Sequence, residues 1–220
     1  NDLASKNPQK LAELQAVFLR EAEKYHVLPM DDRVFERLDG ASVGRPDLMA
    51  GRNSMTLAEG MTGMMEGVFI NVKNRSSTIT AELDVPKGMA NGTIIAQGGR
   101  FGGWSLYVKD GVPAYGYNFL GMQQSSIVSS KPLETGKSTV KFVFAYGGGG
   151  PGKGGLGTLF VNGEKVGEGR IDHTQAGMFS ADETADVGID LGTPVVEAIG
   201  SEARSKFSGH IPKVTVEVTK

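Results

Sequence analysis

The stretch Thr78-Ile79-Thr80-Ala81-Glu82-Leu83-Asp84-Val85 decides the fold class. Ile79, Ala81, Leu83 and Val85 are apolar, and Thr78, Thr80, Glu82 and Asp84 alternate with them. A period of two sends one set to each face of an extended chain, so this is a half-buried strand with Glu82 and Asp84 on its outer side. The same alternation recurs at Trp104, Leu106 and Val108, at Tyr115, Tyr117 and Phe119, at Val140, Phe142, Phe144 and Tyr146, and at Val214, Val216 and Val218. Asn162-Gly163 separates Leu159-Phe160-Val161 from Glu164-Lys165-Val166, which is the strongest short-range hairpin signal. Asp110-Gly111 stands between Tyr107-Val108-Lys109 and the Tyr115 run, with a longer connection expected. Many short strands, with glycine turns and no helical period after Leu48, predict two packed antiparallel sheets. A closed barrel would share this periodicity.

Upstream the period changes. Leu11, Leu14, Phe18, Ala22 and Tyr25 recur every three or four residues, which predicts a helix up to Leu28. Asn7 is its expected N-cap, Pro8 suits the first helical position, and Pro29 is the expected stop. Isolated helices of this length are marginal in water, so the stripe calls for a packing partner. Met30 to about Leu48 has no clear period. The expected organisation is therefore a helix over 1–29, a connector over 30–50 and a sandwich over 51–220. The fold class is mainly β, a two-sheet antiparallel β-sandwich of the concanavalin A/laminin G-like jelly-roll kind, preceded by one N-terminal α-helix.

Composition narrows the function. The 220 residues include 32 glycines, as a turn-rich chain requires, and the formal charge is 23 − 25 = −2. No basic field is available for phosphates, so nucleic acid is an unexpected partner. With no cysteine, disulfides, thiolate metal sites and cysteine nucleophiles are excluded. No run approaches the roughly 20 apolar residues of a membrane-spanning helix, so no membrane partner is expected. The chain starts Asn-Asp-Leu-Ala rather than with Met, which reads as an excised or processed segment.

Three stretches together resemble the C-terminal region of bacterial arylsulfatases. The first runs from Leu3-Ala4 through the helix to Val27-Leu28-Pro29-Met30-Asp31-Asp32-Arg33. The second is Ala96-Gln97-Gly98-Gly99-Arg100-Phe101-Gly102-Gly103-Trp104-Ser105-Leu106-Tyr107-Val108, continued by Tyr117-Asn118-Phe119-Leu120-Gly121. The third is Asp186-Val187-Gly188-Ile189-Asp190-Leu191-Gly192-Thr193-Pro194-Val195, followed by Phe207-Ser208-Gly209-His210-Ile211 and the last valine strand. The resemblance implies a sulfuric-ester hydrolase of two parts. Its formylglycine, made from the Cys or Ser of a Cys/Ser-x-Pro-x-Arg motif, and its calcium would both lie in a catalytic domain before Asn1. It makes that catalytic domain, in the same polypeptide, the expected partner, and favours a periplasmic or secreted location over a cytoplasmic one. For this chain it implies no catalytic residue and no cofactor. The nearest motif here, Ser130-Lys131-Pro132-Leu133-Glu134, has Glu where the Arg that stabilises negative charge belongs.

Other motifs carry bland readings. Gly152-Lys153-Gly154-Gly155-Leu156-Gly157 has dinucleotide-loop spacing, but Thr158-Leu159-Phe160-Val161 follows as a strand, whereas phosphate binding needs a helix N-terminus there. His26, His173 and His210 are scattered, with no metal spacing, and Asp172-His173-Thr174 reads as a turn. Asp182, Glu183, Asp186 and Asp190 form an acidic cluster whose oxygens suit calcium but which reads more simply as a solvated loop, so no metal site is assigned. Arg100, Trp104, Tyr107 and Asn118 are the candidate substrate or interdomain contacts. In one account the Gly98–Gly103 loop faces the catalytic domain and Arg100 meets that domain or an anionic substrate. In the other, Trp104 starts an inward-facing strand and Arg100 pairs with a nearby carboxylate. The function expected is a non-catalytic accessory domain that packs on the catalytic domain and shapes its entrance. The alternative is a carbohydrate-binding, lectin-like module. An independent glycosidase would need two carboxylates about 5–9 Å apart on facing strands, and the strands carry hydroxyls, apolar residues and lysines instead.

Overall fold

The computed structural model describes residues 1–32, 44, 46 and 48–219, and falls into two units, Asn1–Pro46 and Asp47–Lys220. Most of the expected 30–50 connector lies outside the described residues.

In the first unit a 3-10 turn, Ala4–Lys6, leads into helix α1, Pro8–Lys24. Pro8 takes the first helical position as expected. The Asn7 side chain does not cap the helix; its amide donates back to the Leu3 carbonyl at 3.2 Å. The helix also stops earlier than the position of Pro29 suggests. His26 adopts φ 54°, and the His26 and Val27 amides donate to the carbonyls of Glu23 and Ala22. This paired closure takes up the orphan carbonyls of the last turn before the proline is reached.

The second unit is a two-layer antiparallel sandwich with eleven strands among the described residues: β1 (Ser54–Leu57), β2 (Ser77–Val85), β3 (Gly92–Gly99), β4 (Gly102–Lys109), β5 (Val112–Phe119), β6 (Gln123–Val128), β7 (Gly136–Tyr146), β8 (Lys153–Val161), β9 (Glu164–His173), β10 (Ala185–Val187) and β11 (His210–Val218). One sheet runs β1-β11-β2-β7-β8-β9 and the other β10-β3-β4-β5-β6. Every alternating run in the sequence is a strand. Ile79, Ala81, Leu83 and Val85 are buried, and Glu82 is exposed and pairs with Lys213 at 2.6 Å across β2 and β11. They face Trp104, Leu106, Val108, Tyr115 and Tyr117 of the other sheet across one continuous core. Tyr115 stacks on the Phe142 ring from the opposite sheet, 3.6 Å between centroids and 8° from parallel, joining the layers at their centre.

Both dipeptide turns close two-residue hairpins. Asn162 and Gly163 take φ of 50° and 85° between β8 and β9, and Asp110 and Gly111 take 50° and 80° between β4 and β5. Positive φ at both central residues matches the right-handed twist of the flanking strands. The β4–β5 connection is thus shorter than expected, because the strand begins at Val112 and runs through Pro113. His173 is the last residue of β9 rather than part of a turn.

One feature departs from a plain sandwich. β3 is buried throughout, and so are β4 and β5 apart from their ends. A strap, Gly188–Phe207, covers the outer face of their sheet. Its two ends are tied together by the Phe207 amide, which donates to the Gly188 carbonyl at 2.9 Å, and to β3 by Gly188 N–H to Ile94 O and Thr93 N–H to Ser205 O. Ile199 and Val196 pack on Tyr107 and Ala114. Gly116 makes this possible, since a Cβ there would sit 2.7 Å from Val196 Cγ2.

Candidate functional site

The strap and two hairpin ends converge beyond the β3–β4 turn. Arg100 and Phe101 form that turn, and Leu120, Gly121 and Met122 form the neighbouring β5–β6 turn. Asn118 lies between them and is 1 % exposed. Its Nδ2 donates to the carbonyls of Gly99 at 3.3 Å and Arg100 at 2.7 Å, while its Oδ1 accepts from the Gly121 amide at 2.9 Å. One buried amide therefore satisfies the polar backbone of both turns and fixes their spacing. From the strap, Thr193 Oγ1 accepts from the Arg100 amide at 2.9 Å, and Glu197 Oε1 accepts from Arg100 Nε at 2.7 Å.

The result is a braced tip with an apolar top. Phe101 and Met122 are each 75 % exposed and Leu120 is also exposed. Phe101 is the exposed aromatic of the sandwich among the described residues. Large apolar groups held outward on adjacent turns make a surface suited to contact. The Arg100–Glu197 pair at its edge is solvent-exposed, and the carboxylate beside the guanidinium raises the Arg100 pKa.

The four residues singled out in the sequence therefore have separate placements. Arg100 and Asn118 meet at the tip, the first exposed and the second buried beneath it. Trp104 lies in the core, 1 % exposed, with Nε1 donating to Gln97 Oε1 at 3.1 Å and its ring between Phe69 and Tyr115. Tyr107 lies on the opposite face of β4, under the strap. Phe101, Leu120, Met122, Thr193 and Glu197 complete the site. The available signal, for Phe101 alone, was an aromatic in a turn flanked by glycine pairs, where no inward alternation could claim it.

Beneath the strap the acidic cluster is used as backbone anchors. Glu183 accepts from the Thr193 amide and, at 2.6 Å, from its hydroxyl. Asp186 accepts from the Gly63 amide at 2.8 Å and the Thr184 hydroxyl at 3.0 Å. Asp190 Oδ2 accepts from the Val195 amide at 3.0 Å, and Asp190 Oδ1 is buried with no partner among the described residues. Burial pushes the Asp190 carboxyl up to about 7; the Val195 bond opposes this, and the carboxylates of Asp186, Glu183 and Glu202 add to it. Among the described residues no group of three or more His, Asp or Glu side chains is arranged to hold a metal.

The remaining motifs serve the fold. Gly147–Gly152 joins β7 to β8, so the glycine-rich loop is followed by a strand. Ser130 follows β6 in a turn, its amide donating to the Val166 carbonyl, and Lys131 pairs with Glu164. Neither the residues nor the local structure there fit a formylglycine site. A second buried polar feature sits at one end of the core. Lys73, 7 % exposed, pairs with Glu66, and its ammonium lies 5.0 Å from the Phe179 ring centroid. Glu66 also accepts from the Phe179 amide at 2.9 Å. Among the described residues no helix is long and apolar enough to cross a membrane.

No protein-family model matches the chain, and no curated protein matches it in sequence. Solved structures similar to it include a native heptameric SAP-like pentraxin from Limulus polyphemus, 19% identical over 77% of this chain and 78% of that one, with a TM-score of 0.43. The Ruminococcus gnavus IT-sialidase CBM40 is 18% identical over 77% and 92%, with a TM-score of 0.47. The LG1-3 region of the laminin alpha2 chain is 14% identical over 76% and 30%, with a TM-score of 0.46. At these identities the likeness concerns fold alone.

Proposed function

We propose that this chain is a non-catalytic accessory domain of a sulfuric-ester hydrolase and that it docks on the catalytic domain of the same polypeptide through the braced tip. The carrying observation is Phe101, three-quarters exposed on a turn that Asn118 and the strap hold in place. A rigid support keeps an apolar anchor in a fixed position, which lowers the ordering cost of docking. Leu120 and Met122 widen the anchor, and the Arg100–Glu197 pair supplies a polar rim, the usual anatomy of a protein contact. The arylsulfatase resemblance supports the identity of the partner. It puts the formylglycine and calcium chemistry there too, and the Ser130 segment, with Glu134 at the arginine position, supports no such chemistry here.

The test uses the full-length enzyme. Phe101→Ser and Arg100→Ala should lower turnover of a chromogenic aryl sulfate or separate the melting of the two domains. Unchanged activity and unchanged melting in both variants would remove the docking role. Ester cleavage by this chain alone would remove the non-catalytic reading.

A second reading has its own observation: an exposed Phe101 ring beside an arginine–carboxylate pair can stack on a sugar while the pair offers hydrogen bonds. Micromolar glycan binding that disappears in Phe101→Ala would favour this carbohydrate-binding alternative.

A further inference from the structure

We propose that the Gly188–Phe207 strap is a proton-operated latch: with Asp190 protonated it lies closed over the outer face of the five-stranded sheet, and when Asp190 ionises it loosens and slackens the hold of Thr193 and Glu197 on the β3–β4 turn.

Asp190 is the knot of the strap. Its amide donates to Ser205 Oγ at 2.9 Å, and its carbonyl accepts from the Glu202 amide at 2.7 Å and from the Ser205 hydroxyl at 3.2 Å. Its side chain reaches forward to the Val195 amide. Ser205 in turn accepts from Thr93 of β3, so the knot is tied to the sheet. Asp190, 2 % exposed, thus ties Glu202 and Ser205 through its backbone and, through its side chain, Val195, which lies two residues from both Thr193 and Glu197.

The charges around it favour a proton. Asp186 faces it from β10, Glu183 from the segment before β10, and Glu202 from the 3-10 turn Glu202–Arg204. None of these four carboxylates is paired with a cation among the described residues. The strap's own charged groups are engaged or turned outward: Glu197 holds Arg100, Arg204 is exposed and lies against Gly200, and Lys206 is exposed. An ionised Asp190 would leave Oδ1 as a buried anion without a partner beside three like charges, which is the costliest state of a carboxylate. Protonation removes that charge and leaves the Val195 bond in place. The carboxyl, held near 7, thus changes state within the physiological range. Only the consequence for docking rests on the contact role proposed for the tip.

Amide hydrogen exchange on this chain, corrected for intrinsic rates and followed from about pH 5.5 to about pH 8.5, tests the latch. In wild type, protection at Thr93, Val195 and Glu202 should fall roughly tenfold or more with rising pH, while β7 and β8 hold theirs. Asp190→Asn should show no such dependence. Glu202→Gln, which keeps an oxygen for the Gly192 amide and removes one like charge, should move the midpoint to lower pH. A flat wild-type profile, a dependence that survives in Asp190→Asn, or an unmoved midpoint in Glu202→Gln would each overturn the latch. Should Asp190→Asn fail to fold, the Glu202→Gln midpoint alone decides. Millimolar calcium that restores full protection at the upper pH would also overturn it, by making the cluster a cation site. No partner domain enters these measurements, so their failure is distinct from failure of the docking proposal.

Discussion

Replacing Asn118 with alanine should loosen the tip and destabilise the sandwich, by an amount that can be worked out bond by bond. Three hydrogen bonds disappear. Arg100 and Gly121 are exposed, so the Arg100 carbonyl and Gly121 amide can turn to water, and each bond costs about 0.5–1.5 kcal/mol. Gly99 is buried, and its stranded carbonyl costs about 1–3 kcal/mol. The total is roughly 2–6 kcal/mol. For a unit of this size each kcal/mol lowers Tm by about 2–4 °C, so a fall of roughly 4–24 °C is expected. Trp104 is the sole tryptophan and is buried, so its fluorescence reports the transition directly. Asn118→Asp is the sharper comparison. It is nearly isosteric and keeps an oxygen for Gly121, but at neutral pH it sets a carboxylate against two carbonyls. It should be at least as destabilising as alanine and should recover in part on acidification, when the carboxyl can donate. A wild-type Tm for Asn118→Asp would refute the bonding scheme.

Three further outcomes follow from other parts of the fold. Gly92→Ala and Gly163→Ala both force a side chain into positive φ, but the Gly92 Cβ would lie 2.4 Å from the Lys206 carbonyl oxygen while Gly163 faces open space. Gly163→Ala should cost about 1 kcal/mol and Gly92→Ala clearly more, as denaturant midpoints at equal slope would show. Glu66→Gln leaves the Lys73 ammonium buried without its counter-charge and should cost on the order of 3 kcal/mol, and adding Lys73→Met should recover part of that loss, so a double variant no more stable than the single refutes the pairing argument. Asp190 binds a proton in the folded chain up to about pH 7, against an ordinary value of 3.8, so its contribution is full below about pH 4 and is lost as pH rises through about 7. Chemical denaturation of wild type and Asp190→Asn across that window should diverge by up to about 4 kcal/mol, and parallel curves would refute the shift.

The inward half of this fold was readable because alternation is a local signal. Ile79, Ala81, Leu83 and Val85 announce a buried face within eight residues, and Asn162-Gly163 announces its turn within two. The outer face of the five-stranded sheet was not readable in the same way. Tyr107, Ala114, Gly116 and Asn118 are small or polar, as an exposed face would be, and their burial depends on a strap some eighty residues later in the chain. That strap has no period of its own, since it lies flat on a surface rather than joining a sheet. The end of α1 failed for a related reason: a non-glycine residue, His26, took the left-handed position before the proline could act. At the site, Arg100 and Asn118 were legible as polar groups in a glycine-rich block. The separation of Trp104 from Tyr107 was set by strand pleat, which sends residues three apart on β4 to opposite faces.

The glycines around the tip connect these observations. A Cβ on Gly99 would sit 2.6 Å from Thr193 Oγ1, and one on Gly102 would sit 2.3 Å from Gln175 Oε1. Their absence admits two later segments close to the turn, and Thr193 of one of them accepts from its Arg100 backbone amide. A turn gripped in this way can carry Phe101 outward without the loop mobility that would otherwise offset the gain from docking. The cost falls on the strap, which sets Asp190 and the exposed Glu202 beside Glu183 and Asp186 and so brings four carboxylates close together. Rigidity at the tip and proton sensitivity beneath it are consequences of the same arrangement. A variant that relieves the acidic crowding, such as Glu202→Gln, should shift the pH at which the strap loosens and leave the Asn118 bonds at the tip unchanged.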